Sequence, residues 1–182
     1  MPSDPSRRAL LVGAGCLLAA SPAGAHTPYR QWQVYRRKHL LIGTCRADPE
    51  SYPLGKRLVA MLASGLPESK ARVTRAPDQR RLASLLTTEQ LELVLLRFGE
   101  AVALARGKAP FAEFGPYAVR LVFEAEGYAL VCGKDFPGRH AWLVTRTLAG
   151  QLPITGGLAD GDAGLVVHEG SRAYLAGKPE PD

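Results

Sequence analysis

Apolar residues in this chain fall into short continuous runs separated by stretches with helical spacing. Residues 38–44 carry Leu40-Leu41-Ile42 and end in Gly43-Thr44, which predicts a buried strand feeding a loop. Across residues 52–66, Leu54, Leu58, Met61, Leu62 and Leu66 recur at helical spacing, with Gly65 and Pro67 punctuating the end. Residues 71–75 predict a second strand. Residues 77–86 predict a helix with Pro77 near its first turn and Leu82, Leu85 and Leu86 on one face. The run Leu91-Glu92-Leu93-Val94-Leu95-Leu96 predicts a third strand, and residues 99–106 a short helix ending at Gly107. Two further strands are expected over 119–123 and 128–132. A helix over 140–148 would be anchored by Trp142, Leu143 and Leu148.

Strands that are nearly all apolar, alternating with helices, imply an α/β fold: a mostly parallel sheet flanked by helices in a single domain. In such sheets ligands sit beyond the carboxyl ends of the strands, at the topological switch point. That rule nominates Thr44-Cys45 and Arg97-Phe98-Gly99 as rim positions. No internal repeat or heptad run is present. The segment 179–182 is too polar and proline-rich to order by itself and is expected as a disordered tail.

Residues 1–25 have the three parts of a signal peptide: a start with Arg7-Arg8, an apolar run over 9–20, and Ala23-Gly24-Ala25 before the cut. The arginine pair and the glycine-rich apolar run favour twin-arginine export over the general route. Gly13, three residues before Cys16, and the apolar run beyond Cys16 argue against a lipid anchor. The run is too short to span a membrane, which takes about 20 apolar residues. The mature chain is expected to start at His26, to form one domain over 26–178, to reside in the periplasm, and not to be transmembrane.

Loss of Arg7, Arg8 and Asp4 lowers the net charge from +6 to +5. The positive residues are dispersed, as in Lys56-Arg57 and Arg80-Arg81, with no basic block interleaved with aromatics, so nucleic acid is not the expected partner. The balance is compatible with an anionic solute or an anionic membrane surface. Cys45 and Cys132 survive processing. They either form one disulfide, as the compartment permits, or remain small buried residues.

From Leu41 onward the order of segments resembles the TAXI-type solute receptors of TRAP transporters, a branch of the periplasmic binding proteins. Ile42-Gly43-Thr44 is similar to that family's first strand, and Tyr52-Pro53-Leu54-Gly55 to its Tyr-Pro-x-Gly helix start. The segment 82–96, with Glu92, looks like the family's leucine-rich helix and the acidic-residue-containing strand after it. Tyr128-Ala129-Leu130-Val131 followed by Asp135-Phe136-Pro137 resembles its returning strand and turn. Val167-His168-Glu169-Gly170 through Tyr174 resembles its terminal signature. The resemblance implies a non-catalytic solute receptor, here reduced to one lobe, with ligand contacts at Thr44, Cys45, Tyr52, Arg97 and Phe98. The family's glycine-rich ligand loop is replaced by Cys45-Arg46-Ala47-Asp48-Pro49-Glu50-Ser51, and its frequent glutamine after the third strand by Arg97.

Arg97 and the group Arg46, Lys56 and Arg57 are able to receive a carboxylate or phosphate, which arginine grips through two N–H donors. The helix start near Tyr52 adds partial positive charge. A mature chain led by His26 would also offer an amine and an imidazole to copper, with His39, His140 or His168 as the second imidazole. Of these, His39 is the one paired with His26 as metal candidates. His168 is expected as a structural contact. No GxSxG, P-loop or HExxH pattern is present, so no enzyme and no obligatory cofactor is expected. The leading expectation is a periplasmic binding protein for a small anionic solute or a partner protein. The alternatives are a copper-binding or delivery protein using His26, and an accessory subunit that docks onto a membrane transporter or redox complex.

Overall fold

Leu41–Cys45 forms the first strand, β1, buried along its whole length, and Ser51–Gly65 forms the helix α1 that follows. The computed structural model describes residues 38–154 and 164–181, and the signal-peptide segment, the cut before His26 and His26 itself lie outside the described residues. Strand β2 spans Arg72–Ala76, α2 Gln79–Thr87, β3 Leu93–Arg97 and α3 Phe98–Ala105. Strands β4 (Arg120–Ala125) and β5 (Tyr128–Cys132) follow, then α4 (Gly138–Ala149), β6 (Val166–Val167) and α5 (Glu169–Leu175).

The six strands form one sheet in the order β2-β1-β3-β5-β4-β6. The β1–β2, β1–β3 and β4–β6 ladders are parallel, while β5 runs antiparallel to both β3 and β4. The molecule is thus a small α/β domain with a mostly parallel sheet. Five strands end on one edge of the sheet, the carboxyl rim, and β5 begins there. The connection through α1 leads outward from β1 to β2, and the connection through α2 returns past β1 to β3. This reversal puts the switch point between the ends of β1 and β3.

Right-handed crossovers in opposite directions place α1 and α2 on opposite faces. Side chains agree. A Cβ on Gly55 of α1 would stand 2.6 Å from Thr44 Cγ2, whereas one on Gly43 would meet Leu82 of α2 at 2.6 Å. On the α1 face, Gly65 lies against Thr147 of α4, where a Cβ would be 2.6 Å from Thr147 Cγ2. Glycine at each point lets backbone approach side chain. The core is continuous through both faces and includes Ile42, Leu58, Leu62, Leu93, Leu121 and Phe123, all closed to solvent.

Several boundaries differ from the sequence expectation for local reasons. Helix α2 starts after Pro77, because Asp78 takes the cap position and its carboxylate accepts from Arg81 N at 2.7 Å. Leu91 stays out of β3 because its N–H closes the end of α2 on Leu85 O at 2.9 Å. Neither β6, with two residues, nor α5 was foreseen as an element. Helix α5 is capped by His168, whose Nδ1 accepts from Gly170 N at 3.1 Å while Nε2 donates to Phe136 O at 2.9 Å. Both ring nitrogens are engaged in a buried neutral imidazole. Burial lowers the His168 pKa, opposed by the Phe136 carbonyl.

Along α4, Trp142 Nε1 donates to Lys178 O at 3.1 Å and Arg139 Nε to Glu180 at 2.6 Å. Cys45 and Cys132 are free thiols. Register explains this. Cys132 pairs with Leu93, which pairs with Ile42, three residues before Cys45 and two strands away. That offset is about 10 Å along the strands alone, beyond the roughly 7 Å a disulfide spans. Among the described residues no helix is long and apolar enough to cross a membrane.

Candidate functional site

The ends of β1 and β3 place Arg46-Ala47-Asp48 opposite Arg97 at the switch point. Asp48 is 5% exposed, although its neighbours Ala47 and Pro49 lie open. It turns inward because Ser51, at the start of α1, ties the loop down. Ser51 Oγ lies 3.1 Å from Cys45 N, 3.0 Å from Cys45 O and 2.7 Å from Asp48 O. Those contacts hold the Asp48 carboxylate over the crevice.

Both carboxylate oxygens are partnered. Oδ1 accepts from an Arg97 guanidinium nitrogen at 2.8 Å and Oδ2 from the Tyr128 hydroxyl at 2.7 Å. The Arg97 guanidinium also lies 5.1 Å from the centre of the Tyr128 ring, a cation–π arrangement. The Arg97 backbone N–H donates to Glu100 at 3.2 Å. The hydrogen bond to Asp48 strengthens the protonated form of Arg97, raising an already high pKa. Burial, and then the bond to Asp48, raise the pKa of the Tyr128 hydroxyl, which favours its protonated, donating form. Glu100 is raised by burial, an effect opposed by its bond to Arg97 N.

Arg97 keeps its outer edge free, with 55% of its side chain exposed against 6% for Asp48. One guanidinium nitrogen is committed to Asp48, and more than half of the side chain is open to solvent. Arg46 is exposed on the adjoining loop. Arg75 and Lys56 flank the Tyr52 ring at 4.5 and 5.9 Å from its centre. Arg57 pairs with Glu126 on the turn between β4 and β5.

The residues nominated from the sequence separate into two groups. Arg97 and Tyr52 stand at the rim surface. Thr44 and Cys45 lie beneath it: Thr44 is closed to solvent with Oγ1 donating to Thr74 O at 2.9 Å, and Cys45 is 2% exposed. Phe98 is half-buried against the core, its N–H bound to Gly127 O at 2.9 Å. The residues that organise the crevice, Asp48 and Tyr128, were not nominated. The acidic pair Asp48 and Glu50 in the loop after β1 was the available signal for Asp48.

The opposite edge of the sheet, at the amino ends of β1, β2 and β3, holds two clefts. One of about 360 Å³ opens on the α1 and α4 face and is lined by His39, His140 and Glu92 among others. A second of about 220 Å³ opens on the α2 face and also reaches Glu92. Glu92 is exposed at the mouth of both clefts; partial desolvation by their walls raises its pKa, and the nearby His140 imidazole opposes it. His39 and His140 thus share one wall. Among the described residues no group of three His, Cys, Asp or Glu side chains is placed to hold a metal ion. His168, with both nitrogens engaged, is not open as a second imidazole.

Fold and rim together define an α/β domain with an arginine-bearing switch point. Compared with known proteins, the chain matches no family model and no curated protein.

Proposed function

We propose that this chain is a periplasmic, non-catalytic binding protein, a one-lobe relative of the TAXI-type receptors, that recognises a carboxylate-bearing ligand at the carboxyl rim. The observation carrying this reading is Arg97. Its guanidinium is fixed on one side by the buried Asp48 and on its face by Tyr128, and open on the other. Prior orientation lowers the entropy lost when such a side chain grips an anion. Tyr52, with Arg75 and Lys56 beside it, extends the same face.

Asp48 also shapes what the rim accepts. Its carboxylate already fills the crevice, so a ligand meets the exposed edge of Arg97 rather than a buried slot. That favours weak, multi-point recognition of a solute or of a carboxylate on a partner's surface. Docking through an apolar face is less favoured. The exposed large apolar side chains among the described residues are Ile154 and Val166, too few for such a face.

Titration of the full chain with succinate, followed by amide chemical shifts, tests the reading. Saturable shifts at Arg97, Glu100 and Tyr128 are expected, and Arg97→Ala should weaken them at least tenfold. Equal binding by Arg97→Ala, or shifts confined to other regions, would contradict it.

A further inference from the structure

The amino-edge cleft has features that the rim lacks. Its floor is apolar, made by Leu40, Leu66, Leu143 and Val144, and its volume of about 360 Å³ lies in the range of small-molecule sites. Charges of both signs stand on its wall. Arg139 is committed to Glu180, but among the described residues Glu92 is held by no salt bridge. Lys38, exposed three residues before β1, lines the same cleft.

Glu92 is exposed, so its carboxylate is accessible to a cation entering the cleft. An ammonium group seated at Glu92 would pair with a carboxylate that no salt bridge of the described residues engages. A bare aliphatic amine would leave Lys38 opposed by a like charge, whereas a ligand that also carries a carboxylate satisfies both. The apolar residues Leu40, Leu66, Leu143 and Val144 suit a branched hydrocarbon side chain.

We propose that this cleft is a second binding site, separate from the rim, for an aliphatic α-amino acid in its zwitterionic form. Its ammonium group meets Glu92, its carboxylate faces Lys38, and its side chain lies on Leu40, Leu66, Leu143 and Val144. The site does not depend on Arg97, so either site stands if the other fails.

The test uses the full chain labelled with ¹⁵N and three probes: L-leucine, 3-methylbutylamine and 4-methylpentanoate. L-leucine should give saturable shifts at the amides of Leu40, Ser69, Glu92 and Val144, with a Kd on the order of 1 mM for so small a ligand. Each single-charge probe should bind at least fivefold more weakly. Glu92→Gln, which keeps shape and removes charge, should weaken L-leucine at least fivefold, while Arg97→Ala should leave it unchanged. Absence of cleft shifts at 20-fold the expected Kd overturns the proposal. So does equal binding of 4-methylpentanoate or 3-methylbutylamine, or of L-leucine by Glu92→Gln. Shifts at Arg97 and Tyr128 alone would assign the amino acid to the rim and overturn it too.

Discussion

The two edges of the sheet treat charge in opposite ways. At the carboxyl rim, the buried carboxylate of Asp48 has a partner on each oxygen, and those partners come from strands 49 and 80 residues away in sequence. At the amino edge, Glu92 is partly screened by two clefts and is met by no salt bridge among the described residues. The first arrangement ties three elements together and leaves one cation, Arg97, aimed outward. The second stabilises little and leaves room. A carboxylate whose partners lie within the fold chiefly serves stability, and one without them is available to a ligand.

Substitutions at the two edges should therefore separate by size of effect. Asp48→Ala removes both oxygens and strands the Tyr128 hydroxyl, and should cost about 3 kcal/mol in urea unfolding. That cost lies at the low end for a buried pair because Arg97 can turn to solvent. Gly55→Ala presses a methyl group onto Thr44 Cγ2 beneath the same rim, where the Thr44 hydroxyl is already bonded. About 2 kcal/mol is expected. Tyr128→Phe deletes a single charge-assisted bond and should cost about 1.5 kcal/mol, checked by the shift in urea midpoint at unchanged slope. Glu92→Gln at the amino edge should change stability at pH 7 by less than about 0.5 kcal/mol. A loss as large as that from Tyr128→Phe would erase the contrast between the edges.

The pH dependence of stability adds a smaller, directional check. His168 has a folded pKa below its unfolded value of about 6.5, so below that pH the unfolded chain binds more protons than the folded one. Its contribution is complete above pH 6.5 and is lost as pH falls through the folded value. Replacing His168 with Asn should flatten the stability profile in that window. Glu92, raised in the fold, acts in the opposite sense, favouring the folded chain as pH falls toward the carboxylate range.

Most of the fold was legible because its strands are continuous apolar runs with glycine or proline at their ends. Residues 128–132 were read without error, since Tyr-Ala-Leu-Val-Cys is buried at every position. Strand β6 was not, because two residues carry no period and their place depends on pairing with Arg120 and Leu121. At the site, strand ends pointed to Arg97. They pointed equally to Thr44 and Cys45, whose side chains turn out to lie below the surface. Local pattern does not report which way the last residue of a strand faces. The roles of Asp48 and Tyr128 escape local pattern for a different reason: they exist only once β1, β3 and β5 are side by side. Glu92 was read as part of a strand, and nothing in the sequence shows that clefts open on both sides of it.

The contrast rests on the Asp48–Arg97 contact, and a double-mutant cycle measures it most directly. Urea unfolding of the parent chain, Asp48→Asn, Arg97→Gln and the double variant gives the coupling free energy. A favourable coupling of about 1.5 kcal/mol is predicted, with Asp48→Asn also binding succinate more weakly as Arg97 loses its orientation. A coupling within about 0.3 kcal/mol of zero, together with unchanged succinate binding, would contradict the account.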